Sequence, residues 1–224
     1  EGYLFPDTYD LPPDSPAGRV VERMVAELSR HLRELKASHP DGVLRATSLS
    51  GSDDGTARPS PGGFDRADRL IVTLASLVER ETGSPDDRAH VASVFWNRLR
   101  LPDFRPRLLQ SDPTVVYGCT VMAARGTPLA SCDRGDGGVR RGITGAMLMD
   151  RSNPYNTYQH EGVPPGAIAN PGAAALSAVL APTSDQDLYF VAMGSGRSAF
   201  APTLEEHRRN VQRYLRRGDA GVSP

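Results

Sequence analysis

Residues 65–83, DRADRLIVTLASLVERETG, decide the fold because they carry the clearest helical pattern in the chain. Apolar residues recur there at the i, i+3, i+4 and i+7 spacing that places side chains on one face of a helix: Leu70, Ile71, Leu74, Leu77 and Val78. Gly83 follows, and glycine commonly closes a helix. The stretch therefore predicts an amphipathic helix from Asp65 to about Thr82, packed against the core by its apolar face.

Two glutamates near the end of this helix point in different directions. Glu81 continues the stripe of Leu77 and Val78, whereas Glu79 is rotated from it by about 200° at 100° per residue. This predicts Glu79 on the solvent face and Glu81 at the mouth of the surface against which the helix packs. A carboxyl group among apolar side chains is disfavoured as an anion, so its pKa rises and it can stay protonated, as a general acid must. The helix alone leaves open an alternative, in which Glu81 reaches water or pairs with an arginine.

The N-terminal third predicts one helix and one flexible connection. Ser15 and Pro16 have the character of an N-cap and a first helical residue, and apolar spacing continues from there towards Leu35. From about 41 to 63 the chain is rich in Gly, Ser, Asp and Pro and has no apolar periodicity. Such a segment cannot bury enough apolar surface to order itself firmly, which predicts a flexible connection.

The C-terminal two thirds predict further helices, long loops and a strand. Ser84-Pro85-Asp86-Asp87 favours the entry of a second helix, which continues to Leu99. Many Gly and Pro between 102 and 171 predict mostly loops, with a strand or turn around 114–117. Three elements are expected after these loops: a short Ala-rich helix from Asn170-Pro171-Gly172 to about Leu180, a buried strand over Leu188 to Met193, and a final helix from Thr203. We predict one mainly helical α+β domain over residues 1–224, with long loops and a small β element.

The overall composition excludes some classes of partner. Lys and Arg number 26 against 27 for Asp and Glu, so the net charge of −1 gives no reason to expect nucleic acid or an anionic membrane surface. No run of about 20 apolar residues is present, and the opening Glu1-Gly2-Tyr3 has neither an initiator Met nor a signal segment. We therefore expect the sequence to begin inside a longer protein.

Two cysteines, Cys119 and Cys132, lie in a Gly-rich stretch at a separation that a disulfide could close in an oxidising compartment. Two unrelated thiols are an equally good interpretation of the sequence. A zinc site is not expected, because two cysteines without a nearby histidine do not make a ligand set.

Several blocks of the chain, taken in order, resemble the MltG (YceG-like) endolytic murein transglycosylases. They are LASLVERET at 74–82, VASVFWNRL at 91–99, LQSDPTVVYG at 109–118, YNTY at 155–158 and GVPPGAIANPG at 162–172. The opening EGYLFPDTY at 1–9 resembles the start of that family's domain, and LYFVA at 188–192 resembles a late strand. The chain departs from the family pattern in its Gly-rich insertion at 119–141 and in the long connection at 41–63.

The resemblance implies a fold, an activity and a cellular location. It implies a lysozyme-like catalytic core, peptidoglycan as substrate, and cleavage that leaves a 1,6-anhydro end on N-acetylmuramic acid without metal or organic cofactor. In that family the second Glu of the E-x-E-T pattern is catalytic, and it corresponds to Glu81, the residue that the helical face selects. The resemblance also implies a membrane anchor and a LysM-like segment upstream, action on the extracytoplasmic face of the cell membrane, and cell wall synthases or division proteins as partners.

The loop blocks supply candidate sugar-binding residues: Gln110, Asp112, Tyr155, Asn156 and Tyr158. Amides can donate to and accept from hydroxyl groups, and tyrosine rings can lie on the apolar face of a pyranose. Asp112 before a proline is equally well a turn or cap residue, and Asn156 could stabilise loop backbone instead. The stretch at 162–172 is expected to be a rigid wall of the groove. His207, a lone histidine in an Arg-rich helix, is left out of the predicted site.

Two other functions remain open at this stage. One is a hydrolase of similar fold that uses water and a second carboxylate, for which Asp112 is the candidate. The other is a scaffold that binds glycan or division proteins and has lost activity, against which the intact Glu81 argues.

Overall fold

A computed structural model describes residues 1–50, 61–133, 142–194 and 196–215 of the chain. The described part is mainly helical with one small sheet, which confirms the predicted fold class. Its helices are α1 (Ala17–Ser38), α2 (Pro40–Ser50), α3 (Arg66–Glu81), α4 (Arg88–Arg100), α5 (Asp112–Ala124), α6 (Gly145–Met149), α7 (Ala173–Leu180) and α8 (Leu204–Tyr214), and its strands are β1 (Tyr189–Gly194) and β2 (Arg197–Ala201).

Helix α3 lies at the centre of the core, as its apolar stripe predicts. It packs against α2, α4 and α7, and Ile71, Leu77 and Val78 are fully buried. The helix begins with a reciprocal capping box, in which Asp65 accepts from the backbone N–H of Asp68 while Asp68 accepts from that of Asp65. Burial on nearly all sides fixes the rotation of α3, and therefore the direction of the side chain at its last residue.

Helices α4 and α7 complete the core around α3. The indole nitrogen of Trp96 on α4 donates to the carbonyl of Val179 on α7 at 2.9 Å. The start of α4 differs from the prediction, because 84–87 form a turn and the side chain of Asp87 accepts from the backbone of Ser198 instead of capping the helix. Helix α1 likewise begins at Ala17 with Pro16, not Ser15, as its N-cap.

The prediction of a flexible connection over 41–63 is wrong at its start, where α2 forms. The helix presents small residues to α7, and a Cβ added at Gly42 would lie 2.2 Å from the carbonyl oxygen of Leu180. Ala46, one turn later, is fully buried. A contact through glycine and alanine produces no apolar periodicity, so the sequence pattern did not predict this helix. Residues 51–60 of the predicted connection lie outside the described residues.

The prediction of loops with a strand or turn around 114–117 is also wrong, because these residues belong to α5. Thr114, Val115 and Val116 are β-branched and favour strands by propensity. Pro113 lies at the start of the helix, where it is well tolerated, and the helix is held by burial of Thr114 and Val115. Tertiary packing therefore overrides local propensity here.

A disulfide joins Cys119 of α5 to Cys132, which decides between the two interpretations of the cysteines. Around it, Val115, Cys119 and Met147 form a small second core that Tyr158 packs against. This cluster ties the predicted insertion to α5, although residues 134–141 of that insertion lie outside the described residues.

The C-terminal elements follow the predicted order, but the strand predicted to be buried has only Val191 buried, and its partner β2 was not predicted. Strand β1 pairs antiparallel with β2, with Phe190 opposite Phe200. Thr203 caps α8 by accepting from the backbone N–H of Glu206 at 3.2 Å. Within the described residues, none of the helices is both long enough and apolar enough to cross a membrane.

Candidate active site

The last residue of α3 is Glu81, and its carboxyl group is half-buried at the end of the apolar face. Its Oε1 accepts a hydrogen bond of 2.5 Å from the hydroxyl of Ser111. Ser111 itself is 1 % exposed, and its backbone N–H donates to the hydroxyl of Thr157 at 3.0 Å. The carboxyl group is therefore held by a buried, positioned hydroxyl.

Glu79 does not lie on the solvent face as its helical phase predicts. Its Oε2 accepts from the backbone N–H of Gly172 at 3.2 Å, immediately before α7. The first N–H groups of a helix lack partners within it and favour a negative charge nearby. Glu79 and Glu81 therefore have different roles, since the first supports the N-terminus of α7 and the second faces a cleft.

Burial raises the pKa of Glu81 to about 7. The donated hydrogen bond from Ser111 lowers it, the negative charge of Asp112 raises it, and the positive charge of Arg98 lowers it. Desolvation is the largest of these effects because the carboxylate loses water without gaining a paired cation. At neutral pH a large share of Glu81 is therefore protonated, which is the state that a general acid requires.

The carboxyl group lies on an open cleft of about 350 Å³. Four of the predicted site residues line it: Glu81, Gln110, Asp112 and Tyr158. The hydroxyl of Tyr158 donates to Oδ1 of Asp112 at 2.6 Å, and burial together with this bond raises the pKa of Tyr158. The tyrosine thus keeps its proton, and Asp112 keeps a fixed orientation beside Glu81.

Arg98 of α4 also lines the cleft and was not predicted. Its side chain is buried, with the guanidinium between the rings of Phe104 and Tyr189 at 5.5 and 5.3 Å. Nε donates to the carbonyl of Leu188 and one terminal nitrogen donates to that of Leu109, both at 2.7 Å. The arginine therefore joins α4 to β1 and to the loop that precedes α5.

The same guanidinium holds Gln110 in an unusual backbone conformation. Gln110 has φ of 53°, the left-handed region that side chains other than glycine rarely adopt. Its side-chain oxygen accepts from Arg98 at 3.2 Å, and its backbone N–H donates to the carbonyl of Thr157 at 3.1 Å. Such strain persists only where surrounding contacts impose it, and it is common at functional sites. Here it places Ser111 next to Glu81.

Two of the predicted sugar-binding residues, Tyr155 and Asn156, are not brought into this cleft. Tyr155 is buried, and its ring packs edge-on against Tyr117 with centroids 4.9 Å apart. Asn156 is fully buried, its amide nitrogen donating to three backbone carbonyls and its oxygen accepting from the N–H of Tyr158 at 3.0 Å. In this arrangement Asn156 holds the loop that presents Tyr158.

His207 and Tyr189 also line the cleft, although His207 is not among the predicted site residues. The two rings stack with centroids 5.3 Å apart, and burial together with the charge of Arg98 lowers the pKa of His207. No sequence signal identified His207, because the contact depends on how α8 docks. Arg98 did carry a signal, since it is a charged residue in phase with the apolar face of α4.

The stretch at 162–172, predicted to form a wall of the groove, does not line the cleft of Glu81, but Ile168, Ala169 and Asn170 line a second groove next to it. Residues 162–166 line a separate cavity of about 440 Å³ with Tyr3 and Leu70, and its described lining contains no acidic residue. Within the described residues, His90, Asp185 and Asp187 bring possible metal ligands together away from the cleft lining. His90 bonds to Asp187 at 2.7 Å there, which links α4 to the segment before β1.

Comparison with known proteins yields one family. A model of the YceG-like family matches residues 1–213. The endolytic murein transglycosylase of Bacillus subtilis is 29 % identical over 216 residues, which are 96 % of this chain and 48 % of that protein. Its namesake in Streptococcus pneumoniae serotype 2 is 26 % identical over 218 residues, or 96 % of this chain and 32 % of that protein. The chain thus spans half the length of these relatives or less.

A solved structure supports the fold over nearly the whole chain. The crystal structure of a yceG-like protein from Listeria monocytogenes superposes with a TM-score of 0.64 at 30 % identity. The match covers 93 % of this chain and 54 % of that one.

Proposed function

The chain belongs to the YceG-like family, and from this membership we propose that it is the catalytic domain of an endolytic murein transglycosylase. It would cut peptidoglycan strands at the bond between N-acetylmuramic acid and N-acetylglucosamine. The observation that carries the proposal is a carboxyl group, Glu81, whose pKa of about 7 leaves it substantially protonated at the wall of an open cleft. The curated relatives bear the name of this activity.

The proposed reaction needs one acid that works twice. Glu81 donates its proton to the glycosidic oxygen as the bond from that oxygen to C1 breaks. The C6 hydroxyl of the same muramic acid forms a bond to C1, and the Glu81 carboxylate accepts the proton that this hydroxyl releases. The products are a 1,6-anhydro end and a free hydroxyl on the leaving sugar, with no water consumed and Glu81 returned to its acid form.

A single carboxyl group is sufficient because the nucleophile is tethered to the substrate. Ordinary glycosidases need a second carboxylate to attack the sugar or to activate water. An intramolecular hydroxyl reacts at an effective concentration that can reach on the order of 10⁵ M or more. The protein then needs mainly to orient and distort the sugar and to transfer the proton.

Three polar residues of the cleft are proposed to hold the sugars. Gln110, Asp112 and Tyr158 all present side chains to the same space as Glu81. The ring of Tyr189, which lines the same cleft, offers an aromatic surface for the apolar face of a pyranose. Asn156 contributes indirectly in this proposal, because it fixes the backbone of Tyr158.

We place this activity outside the cytoplasm, where peptidoglycan lies. The disulfide between Cys119 and Cys132 supports that location, since disulfides persist in oxidising compartments. We further propose an upstream membrane anchor and a LysM-like segment. In the cell, synthases or division proteins would recruit the enzyme, and it would limit strand length during wall synthesis.

Digestion of isolated sacculi by matched variants tests the function. Glu81→Gln keeps the shape of the side chain but removes its titratable proton, and we expect it to release no anhydro-ended muropeptides by mass spectrometry. Glu79→Gln is the control, because an amide oxygen can still accept from Gly172 and the residue lies on the same helix two positions earlier. Retained release by Glu81→Gln would remove Glu81 from the mechanism.

A hydrolase is the second candidate, because Asp112 lies in the same cleft as Glu81. In that mechanism Asp112 would activate water or attack C1, and the new end would be heavier by one water than the anhydro product. The product masses in the same digestion therefore distinguish the two reactions.

A further inference from the structure

A second open groove meets the active-site cleft at Asp112. This groove has a volume of about 790 Å³, against about 350 Å³ for the cleft that contains Glu81. Asp112 belongs to the lining of both, so the two spaces adjoin at the first residue of α5. Arg80, the neighbour of Glu81 at the end of α3, lines only the second groove. The catalytic residue thus lies near a junction between two spaces and not at a closed end.

One face of α5 forms the floor of the second groove. Asp112, Val116 and Thr120 follow one another at i, i+4 and i+8, which places them in a row along the helix. All three are exposed, and Val116 is 38 % exposed although it is apolar. The row leads away from Glu81, so an extended ligand that leaves the cleft past Asp112 would run along it.

The chemistry of this groove is mixed in the way that suits a sugar chain. Val116 offers apolar surface, Thr120 offers a hydroxyl, and Arg80 offers a cation beside the carboxylates of Glu1 and Asp112. A pyranose has apolar faces and a hydrogen-bonding edge, so it can use such a surface throughout its length. A purely apolar peptide or lipid would leave the polar groups of the groove without partners.

From this junction at Asp112 we propose that the groove along Asp112, Val116 and Thr120 binds the part of the glycan strand that lies beyond the cleaved bond. The inference rests on the proposed function and adds to it a location for the strand. The strand then occupies both spaces at once, and cleavage within a strand follows, because sugars are bound on both sides of Glu81.

Binding and cleavage by variants of the row test this proposal separately from the catalytic one. Val116→Trp and Thr120→Trp fill the groove from an exposed helix face, and Val21→Trp on the exposed face of α1 is the matched control. Placed in the non-cleaving Glu81→Gln protein, the two groove variants should bind soluble glycan strands at least ten-fold more weakly than the control by titration calorimetry. In the protein with intact Glu81, they should shift products from internal cleavage towards release from strand ends.

Each outcome bears on one proposal. Equal affinity of both groove variants and the control, or no glycan binding by Glu81→Gln itself, overturns the groove proposal. Normal binding with an absence of anhydro products from the wild-type protein overturns the proposed function and leaves the groove in place.

Discussion

Replacing Glu81 with glutamine should stabilise the protein, and the gain should grow with pH. A carboxyl group whose pKa is about 7 in the folded state, against an ordinary 4.5, binds its proton more tightly when folded. The contribution of this group to stability is therefore greatest below about pH 4.5 and falls as the pH rises towards 7, because folding in this window requires proton uptake by Glu81. Glutamine does not titrate, so its variant escapes this loss.

The size of the effect follows from the two pKa values. At about 1.4 kcal/mol for each pH unit, the interval between 4.5 and about 7 corresponds to roughly 3 kcal/mol in the free energy of unfolding. Glu81 is half-buried, and solvent screens its charge in part, so this figure is an upper value. We expect the advantage of Glu81→Gln to rise by about 2 to 3 kcal/mol between pH 4.5 and 8.

Urea unfolding monitored by Trp96 fluorescence measures this difference. Trp96 is the chain's one tryptophan and is 3 % exposed, so its emission reports the loss of the core directly. The two proteins are compared at a series of pH values with the slope m unchanged, since a changed m would mean a different unfolded state. A stability difference that stays flat from pH 4.5 to 8 would refute the argument that burial keeps Glu81 protonated.

Three further predictions follow from the same structure. Ser111→Ala removes a hydrogen bond of about 1.5 kcal/mol to the Glu81 carboxylate and so raises the pKa of Glu81. In a pH–rate profile, the wild-type kcat/KM should fall on the alkaline side near pH 7, and in the variant this fall should occur about one pH unit higher. Gly42→Ala pushes a methyl group into a carbonyl of α7 and should destabilise by about 1 to 3 kcal/mol, measured as a lower melting temperature. Replacing Cys119 and Cys132 together by alanine should cost about 3 kcal/mol of unfolding free energy in urea, and an unchanged midpoint would contradict a stabilising disulfide.

The sequence predicts those elements whose burial is expressed as apolar periodicity. Helix α3 carries five large apolar residues on one face, and its observed bounds differ by one residue at each end from those predicted. The sequence did not predict helix α2, because its contact with α7 is made through Gly42 and Ala46. Glycine disfavours a helix and alanine adds little to an apolar pattern. Close backbone packing depends on the shape of the partner surface, which hydropathy does not encode.

The candidate site shows the same difference between residues that a local pattern predicts and residues that depend on tertiary contacts. The phase of α3 selects Glu81, because a carboxyl group in line with an apolar stripe must end at the edge of the buried face. The helical phase correctly predicts that Glu79 points away from Glu81, but that side of the helix is not open to solvent, since α7 begins there. His207 lines the cleft because of the way α8 docks, whereas Asn156 does not line it because its amide nitrogen donates to backbone carbonyls of the loop. These outcomes depend on tertiary contacts that no local pattern contains.

Glu81 keeps its proton in part because the donors of Arg98 have other hydrogen-bond acceptors. A buried guanidinium needs acceptors, and a carboxylate next to it would be the strongest one available. Here Arg98 donates to the carbonyls of Leu109 and Leu188 and to the side-chain oxygen of Gln110, and among the described residues it forms no ion pair with Glu81. Because neutral oxygens already accept these donors, the arginine stabilises the loop without fixing a negative charge on the acid.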